Sequence, residues 1–221
     1  MNTLLLLAAL AAPVIAADSP AAAPLPAADP AAEERAKVLY ALGAQVAGDF
    51  VLKPGDVTTV AEGMADQAAG KALKTDVKEY GPKVAALKRA AADARRQIQL
   101  DAYAAEQGAR RLPSGLIYRQ IKAGAAGGAH PKATDMVKVH YHGTFPDGRV
   151  FDSSVERGEP MSFPLNGVIA CWTEGVQLLV VGEKAKLVCP YEIAYGERGR
   201  PPAIPERATL LFDVELLGIG R

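Results

Sequence analysis

Two histidines, two cysteines and an Asp-Ser-Ser run carry the most reactive side chains of the C-terminal half of the chain. His140 and His142 flank Tyr141 within Val139-His140-Tyr141-His142-Gly143, and at that spacing they share one face of a strand. Two imidazoles without Cys or carboxylate partners are too few for structural zinc. They read as exposed strand residues, and no metal is expected. Asp152-Ser153-Ser154 offers hydroxyls with no suitable base beside them, so these residues read as turn and pocket edge. Cys171 and Cys189 are the only cysteines. An even count in an exported chain suits a disulfide, which needs Cα atoms about 5.5 Å apart. Two free buried thiols, or a redox role, are the alternatives. Neither cysteine has a His near it in sequence, which argues against a nucleophile.

What is left is apolar. The chain has only 6% aromatic residues, yet Tyr141, Phe151, Trp172, Tyr195 and Phe212 fall among short β-like runs in its last third. Concentrated there, they suggest a binding cavity rather than a general core.

With Phe151-Asp152-Ser153-Ser154 and Ala194-Tyr195-Gly196 in this order, the stretch from Leu112 to Gly220 resembles the FKBP-type peptidyl-prolyl isomerases. The resemblance implies a curved antiparallel half-barrel sheet wrapped around a short helix, with the pocket between them. It also implies Trp172 as the floor under a proline ring, with Tyr141, Phe151 and Phe212 as walls. By the same resemblance the Ile169 N–H and the Tyr195 hydroxyl hold substrate carbonyls, and Asp152 orients the polar edge near Tyr141. Met161, Phe163, Val168 and Ile204 complete the substrate pocket. No cofactor is implied. The implied partners are unfolded or partly folded exported proteins with X–Pro bonds, and macrolide inhibitors. The sequence departs from the family pattern at Met161, at Cys171 before Trp172, and at Ala203. The loop from Gly196 to Pro205 also carries Arg198 and Arg200, which read either as a solvated loop or as a basic rim suited to acidic substrate segments.

The elements that position these residues follow from periodicity. Leu112-Pro113-Ser114-Gly115 is a breaker cluster. After it Leu116, Tyr118 and Ile121 begin a strand-like run, and Val137, Val139 and Tyr141 alternate with Lys138, His140 and His142. Pro146-Asp147-Gly148 is a turn, and Val150-Phe151 resumes a strand. Thr173 to Leu179 allows one short helix, and residues 184–188 and 210–217 make two more strands. Strands with one helix give an α+β domain over residues 112–221.

Residues 33–111 read as helical, rich in Ala, Lys, Glu and Leu. Val38, Leu39, Leu42, Val46 and Phe50 form an apolar stripe. Lys53-Pro54-Gly55 ends that helix, and a second runs from about Val57 to Lys71. Gly81-Pro82 opens a long, solvated linking helix of about 25 residues. Residues 40–50 resemble the dimerisation region of the macrophage infectivity potentiator group of this family, which implies a homodimer through residues 33–80. A monomeric helical cap is the alternative.

Residues 1–17 carry an apolar run too short to span a bilayer comfortably, followed by small residues. They read as a secretory signal peptide. Residues 18–32 are almost all Ala and Pro and read as an extended linker. With 25 basic and 25 acidic residues, nothing favours nucleic acid or an anionic membrane. The mature protein is expected to be periplasmic or secreted, without a membrane span. A periplasmic holdase, with the pocket as a peptide-binding site, is the competing function.

Overall fold

The structure is a computed structural model, and it describes residues 30–220. The signal-peptide reading and most of the linker lie outside those residues. The chain divides into two units, Met1–Val46 and Ala47–Arg221. The helices are α1 (Pro30–Phe50), α2 (Pro54–Ala68) and α3 (Val77–Ala104). Helix α1 already includes Pro30–Ala32, the end of the stretch read as linker. None of its described side chains is buried, and Val38, Leu39 and Leu42 are all more than half exposed. Helix α2 starts at Pro54, where a missing N–H costs nothing, and the Asp56 carboxylate accepts the Lys53 N–H at 2.9 Å.

Helix α3 corrects the sequence reading in two ways. It begins at Val77 rather than at Gly81-Pro82, because the Asp76 carboxylate caps it, accepting the Lys78 N–H at 2.7 Å. Pro82 therefore lies inside the helix and forfeits one bond, to the Lys78 carbonyl. The helix is also not solvated throughout. Leu100 is buried and packs with Ile117, Val188 and Leu211 on one face of the sheet. The stretch read as helical to 111 in fact closes with a strand, β1 (Ala109–Arg111), paired to β2 (Ile117–Lys122).

The remaining elements are β3 (Met136–Thr144), β4 (Val150–Ser153), α4 (Ser154–Arg157), β5 (Met161–Pro164), α5 (Ala170–Val176), β6 (Lys184–Cys189) and β7 (Leu210–Gly220). The sheet is antiparallel in the order β1-β2-β6-β7-β3-β4, with β5 pairing the other end of β3. Helix α5 starts three residues before the predicted Thr173, which puts Trp172 on it. Strand β3 alternates as its sequence predicts: Val137, Val139 and Tyr141 are buried beneath less buried neighbours. Strand β7 does not, since Leu210, Leu211 and Phe212 are all buried. Both faces of the sheet are covered there, one by the end of α3 and one by the core around α5.

Cys171 on α5 and Cys189 at the end of β6 form a disulfide, with Cα atoms 5.7 Å apart and a sequence separation of 18. It ties the Trp172-bearing helix to the sheet. Closing a loop of that length restricts the unfolded chain by about 3 kcal/mol. Reductant is expected to lower the unfolding free energy of the wild type by that much and to leave that of a Cys171→Ala/Cys189→Ala variant unmoved, as equilibrium unfolding would show.

Candidate functional site

Between α5 and the sheet lies a cavity of about 870 Å³. Trp172, buried and third in α5, forms its base. Three rings meet the indole edge to face: Tyr141 at 5.3 Å, Phe212 at 5.3 Å and Phe163 at 5.8 Å between centroids. Phe151 continues the set, T-shaped on Phe212 at 5.4 Å and tilted on Phe145 at 5.1 Å. Such edge contacts add about 0.5–1.5 kcal/mol each beyond area burial, so the cavity walls are held rigidly.

Gly143 makes room for one of those walls. A Cβ at this position would lie 2.7 Å from Cζ of Phe151. Gly143→Ala is expected to push that ring aside and to destabilise the fold by about 1–3 kcal/mol through overpacking. Denaturant titration would measure the loss, and ring contacts of Phe151 in NMR spectra would show the displacement.

One edge of the cavity is polar. The Tyr141 hydroxyl donates to Asp152 Oδ2 at 2.5 Å and accepts from Arg157 Nη2 at 2.9 Å, while Arg157 Nη1 pairs with Asp152 Oδ1. Burial alone would push the Asp152 carboxyl up. The hydrogen bonds from Tyr141 and Arg157, with the guanidinium charge, outweigh it and hold the carboxyl below its usual range. Burial, helped by the bond to Asp152, pushes the Tyr141 phenol up. Arg157 was missed in the sequence, where its only signal is a cation five residues after Asp152 at the end of a four-residue helix.

The serines support this edge. Ser154 is buried, and its Oγ accepts the Tyr141 N–H at 2.8 Å. Ser153 caps α4, accepting the Glu156 N–H at 3.1 Å. The histidines, read as exposed, are each about half buried. His140 Nδ1 lies 3.1 Å from Ser154 Oγ and His142 Nδ1 3.0 Å from Ser153 Oγ. Strand β4 pairs with the end of β3 in the sheet and leads directly into α4, which brings both serines beside the histidines; no periodicity in the sequence announces that path.

The opposite rim is backbone and loop. Ile169 is the N-cap of α5, and its N–H donates to no group among the described residues. Val168, Gly167, Tyr195 and Ile204 share the lining with it. The tight turn at Gly199, φ +64°, lets the 200–204 loop fold inward, since a Cβ there would lie 2.1 Å from the Pro205 carbonyl oxygen. Arg200, Pro201, Pro202 and Ala203 join the lining in this way.

The structure thus brings together every residue expected in the pocket except Met161. Met161 shares the face of Phe163 on β5 but lies one strand repeat further on, outside the lining and 38% exposed. A repeat of about 6.6 Å along a strand is enough to carry it past the rim.

An antiparallel sheet closed over one helix thus holds between them a cavity lined mainly by aromatic and aliphatic side chains, with Asp152 and Arg200 as its charged members. Residues 127–217 match the family model of the FKBP-type peptidyl-prolyl cis-trans isomerases. The chain is 45% identical over 179 residues to an FKBP-type peptidyl-prolyl cis-trans isomerase FkpA of Aeromonas hydrophila, covering 75% of this chain and 66% of that one. It is 52% identical over 120 residues to the FKBP-type 22 kDa isomerase of Escherichia coli K12, covering 54% and 57%. The chain therefore spans somewhat less than two thirds of the length of these curated relatives. The crystal structure of FkpA from Escherichia coli superposes with a TM-score of 0.52 at 33% identity, covering 87% of this chain and 98% of that one. This chain belongs to the FKBP-type peptidyl-prolyl cis-trans isomerase family.

Proposed function

We propose that the chain accelerates cis–trans rotation about X–Pro bonds in exported proteins. The observation that carries this reading is the Trp172-based cavity, walled by aromatic rings and bordered by the hydrogen-bonded edge of Tyr141 and Asp152. An X–Pro amide rotates over a barrier of about 20 kcal/mol because its C–N bond has partial double-bond character. Twisting that bond removes resonance and charge separation. A dry apolar site therefore favours the twisted amide over the planar ground state, with no covalent intermediate.

In this reading Trp172 underlies the proline ring, and Tyr141, Phe151 and Phe212 wall it in. The unpartnered Ile169 N–H and the Tyr195 hydroxyl hold the flanking carbonyls, and Asp152 with Arg157 fixes the Tyr141 hydroxyl. Phe163, Val168 and Ile204 shape the rest. Residues 1–17 serve as an export signal, so the working location is the periplasm or the exterior.

The helices carry a second role. Val38, Leu39, Tyr40, Leu42, Val57 and Met64 are exposed apolar side chains in a single chain, and stripes of this kind mark an interaction surface. Their occupant is a second copy, which gives a homodimer through residues 33–80. A holdase activity in which the same helices shelter unfolded clients is the competing reading of those side chains.

A protease-free peptide isomerisation assay on residues 18–221, with and without a macrolide inhibitor, tests the main reading, and the mass in solution tests the dimer. No acceleration of any X–Pro peptide would sink the first, and a monomer at assay concentration the second.

A further inference from the structure

We infer that Arg200 selects substrates with a carboxylate side chain next to the proline. This rests on the isomerase reading above and names the substrate class within it. Two charged side chains line the cavity, Asp152 and Arg200. Asp152 is already matched by Arg157 and the Tyr141 hydroxyl. Arg200 has no side-chain partner among the described residues, so the cavity presents one uncompensated positive charge to whatever enters.

That charge is not on a free loop tip. The Arg200 N–H donates to the Ile204 carbonyl at 2.8 Å, and the Ile204 N–H returns to the Arg200 carbonyl at 2.9 Å. Ile204 is itself 4% exposed and forms part of the cavity wall. The backbone at Arg200 is therefore pinned to the rim, which limits the conformational entropy lost when its side chain pairs with a ligand. Glu197, three residues before Arg200, is engaged elsewhere, 3.4 Å from Arg207 Nε and accepting from the Tyr191 hydroxyl at 3.2 Å. Arg198 is exposed and lies outside the lining, so it adds only a general positive potential. A guanidinium pairs well with a carboxylate, in one or two parallel hydrogen bonds.

The test is a matched series of short peptides with Glu, Gln or Lys immediately before or immediately after the proline. Isomerisation is followed without a coupled protease for the wild type, Arg200→Gln and Arg200→Glu. In at least one of the two positions the wild type should prefer Glu over Gln by roughly three- to fivefold, the upper end for an exposed ion pair such as Arg200 can make. The preference should shrink toward unity at about 1 M salt, where the Debye length is near 3 Å. Within Arg200→Gln the Glu/Gln ratio should fall to about one, and within Arg200→Glu the order should reverse in favour of Lys. Because each ratio is taken within one variant, a general loss of rate does not obscure it. Turnover of all peptides with a Glu/Gln ratio of one in both positions, or an unchanged ratio in Arg200→Gln, overturns the role of Arg200 and leaves the isomerase reading intact. Turnover of none overturns both.

Discussion

Truncating Phe151 to Ala is expected to remove most isomerase activity while the chain stays folded. Phe151 is only half buried, at the edge of the core, where its ring meets Phe145 and Phe212 and lies over Gly143. Trp172 would be a poorer probe. It is 4% exposed and touches Tyr141, Phe163 and Phe212, and cutting such a residue to Ala costs about 3–5 kcal/mol of stability whatever its role. For Phe151→Ala the site loses a whole wall and admits water beside the amide, where the twisted form needs dryness. A fall in kcat/KM of at least about tenfold, or 1.4 kcal/mol of transition-state stabilisation, is the expected result. The denaturant slope should stay that of the wild type. Full activity in a folded Phe151→Ala protein would remove the catalytic assignment.

The same residue shows why much of the site was legible in the sequence. Phe151, Trp172 and Phe212 are rare residue types in this chain, and the resemblance of the motifs around them to the isomerase family assigns them to one pocket. Periodicity alone does not, since Phe212 lies in a run that does not alternate and Trp172 precedes the helix expected from Thr173. Legibility ended where position depends on chain path instead. Arg157 reaches Tyr141 only because α4 turns the chain back over β3. Met161 has the right face and the wrong distance along β5. The start of α3 hinged on one carboxylate, Asp76, outweighing the breaker signal of Gly81-Pro82. The burial of Leu100 against Leu211 required knowing that the sheet is covered on both faces, which the run Leu210-Leu211-Phe212 hinted at by failing to alternate.

The polar edge gives the second large effect. Asp152→Ala leaves the Tyr141 hydroxyl and the Arg157 guanidinium without their shared acceptor, and is expected to lower kcat/KM by about tenfold. Asp152→Asn should fall between, since an amide oxygen can still accept from Tyr141 but offers Arg157 no charge. If Asp152 acts by holding Tyr141, the losses from Asp152→Ala and Tyr141→Phe will not add in the double variant, as expected of groups that share one network. The pH dependence follows from the same contacts. Tyr141 and Arg157 hold the Asp152 carboxyl below its usual value, so the ionised form is more stable in the folded chain than in the unfolded one. Its contribution is complete above the unfolded value of about 3.9 and is lost only as pH falls through the lower, folded value. Activity that depends on this edge should therefore hold level from neutral pH down to about pH 4, and any acid limb should lie below that. A limb centred near pH 6 would mean that a group other than Asp152 controls the site. In Asp152→Asn the acid limb should vanish at a lower plateau, because the amide has no proton to gain.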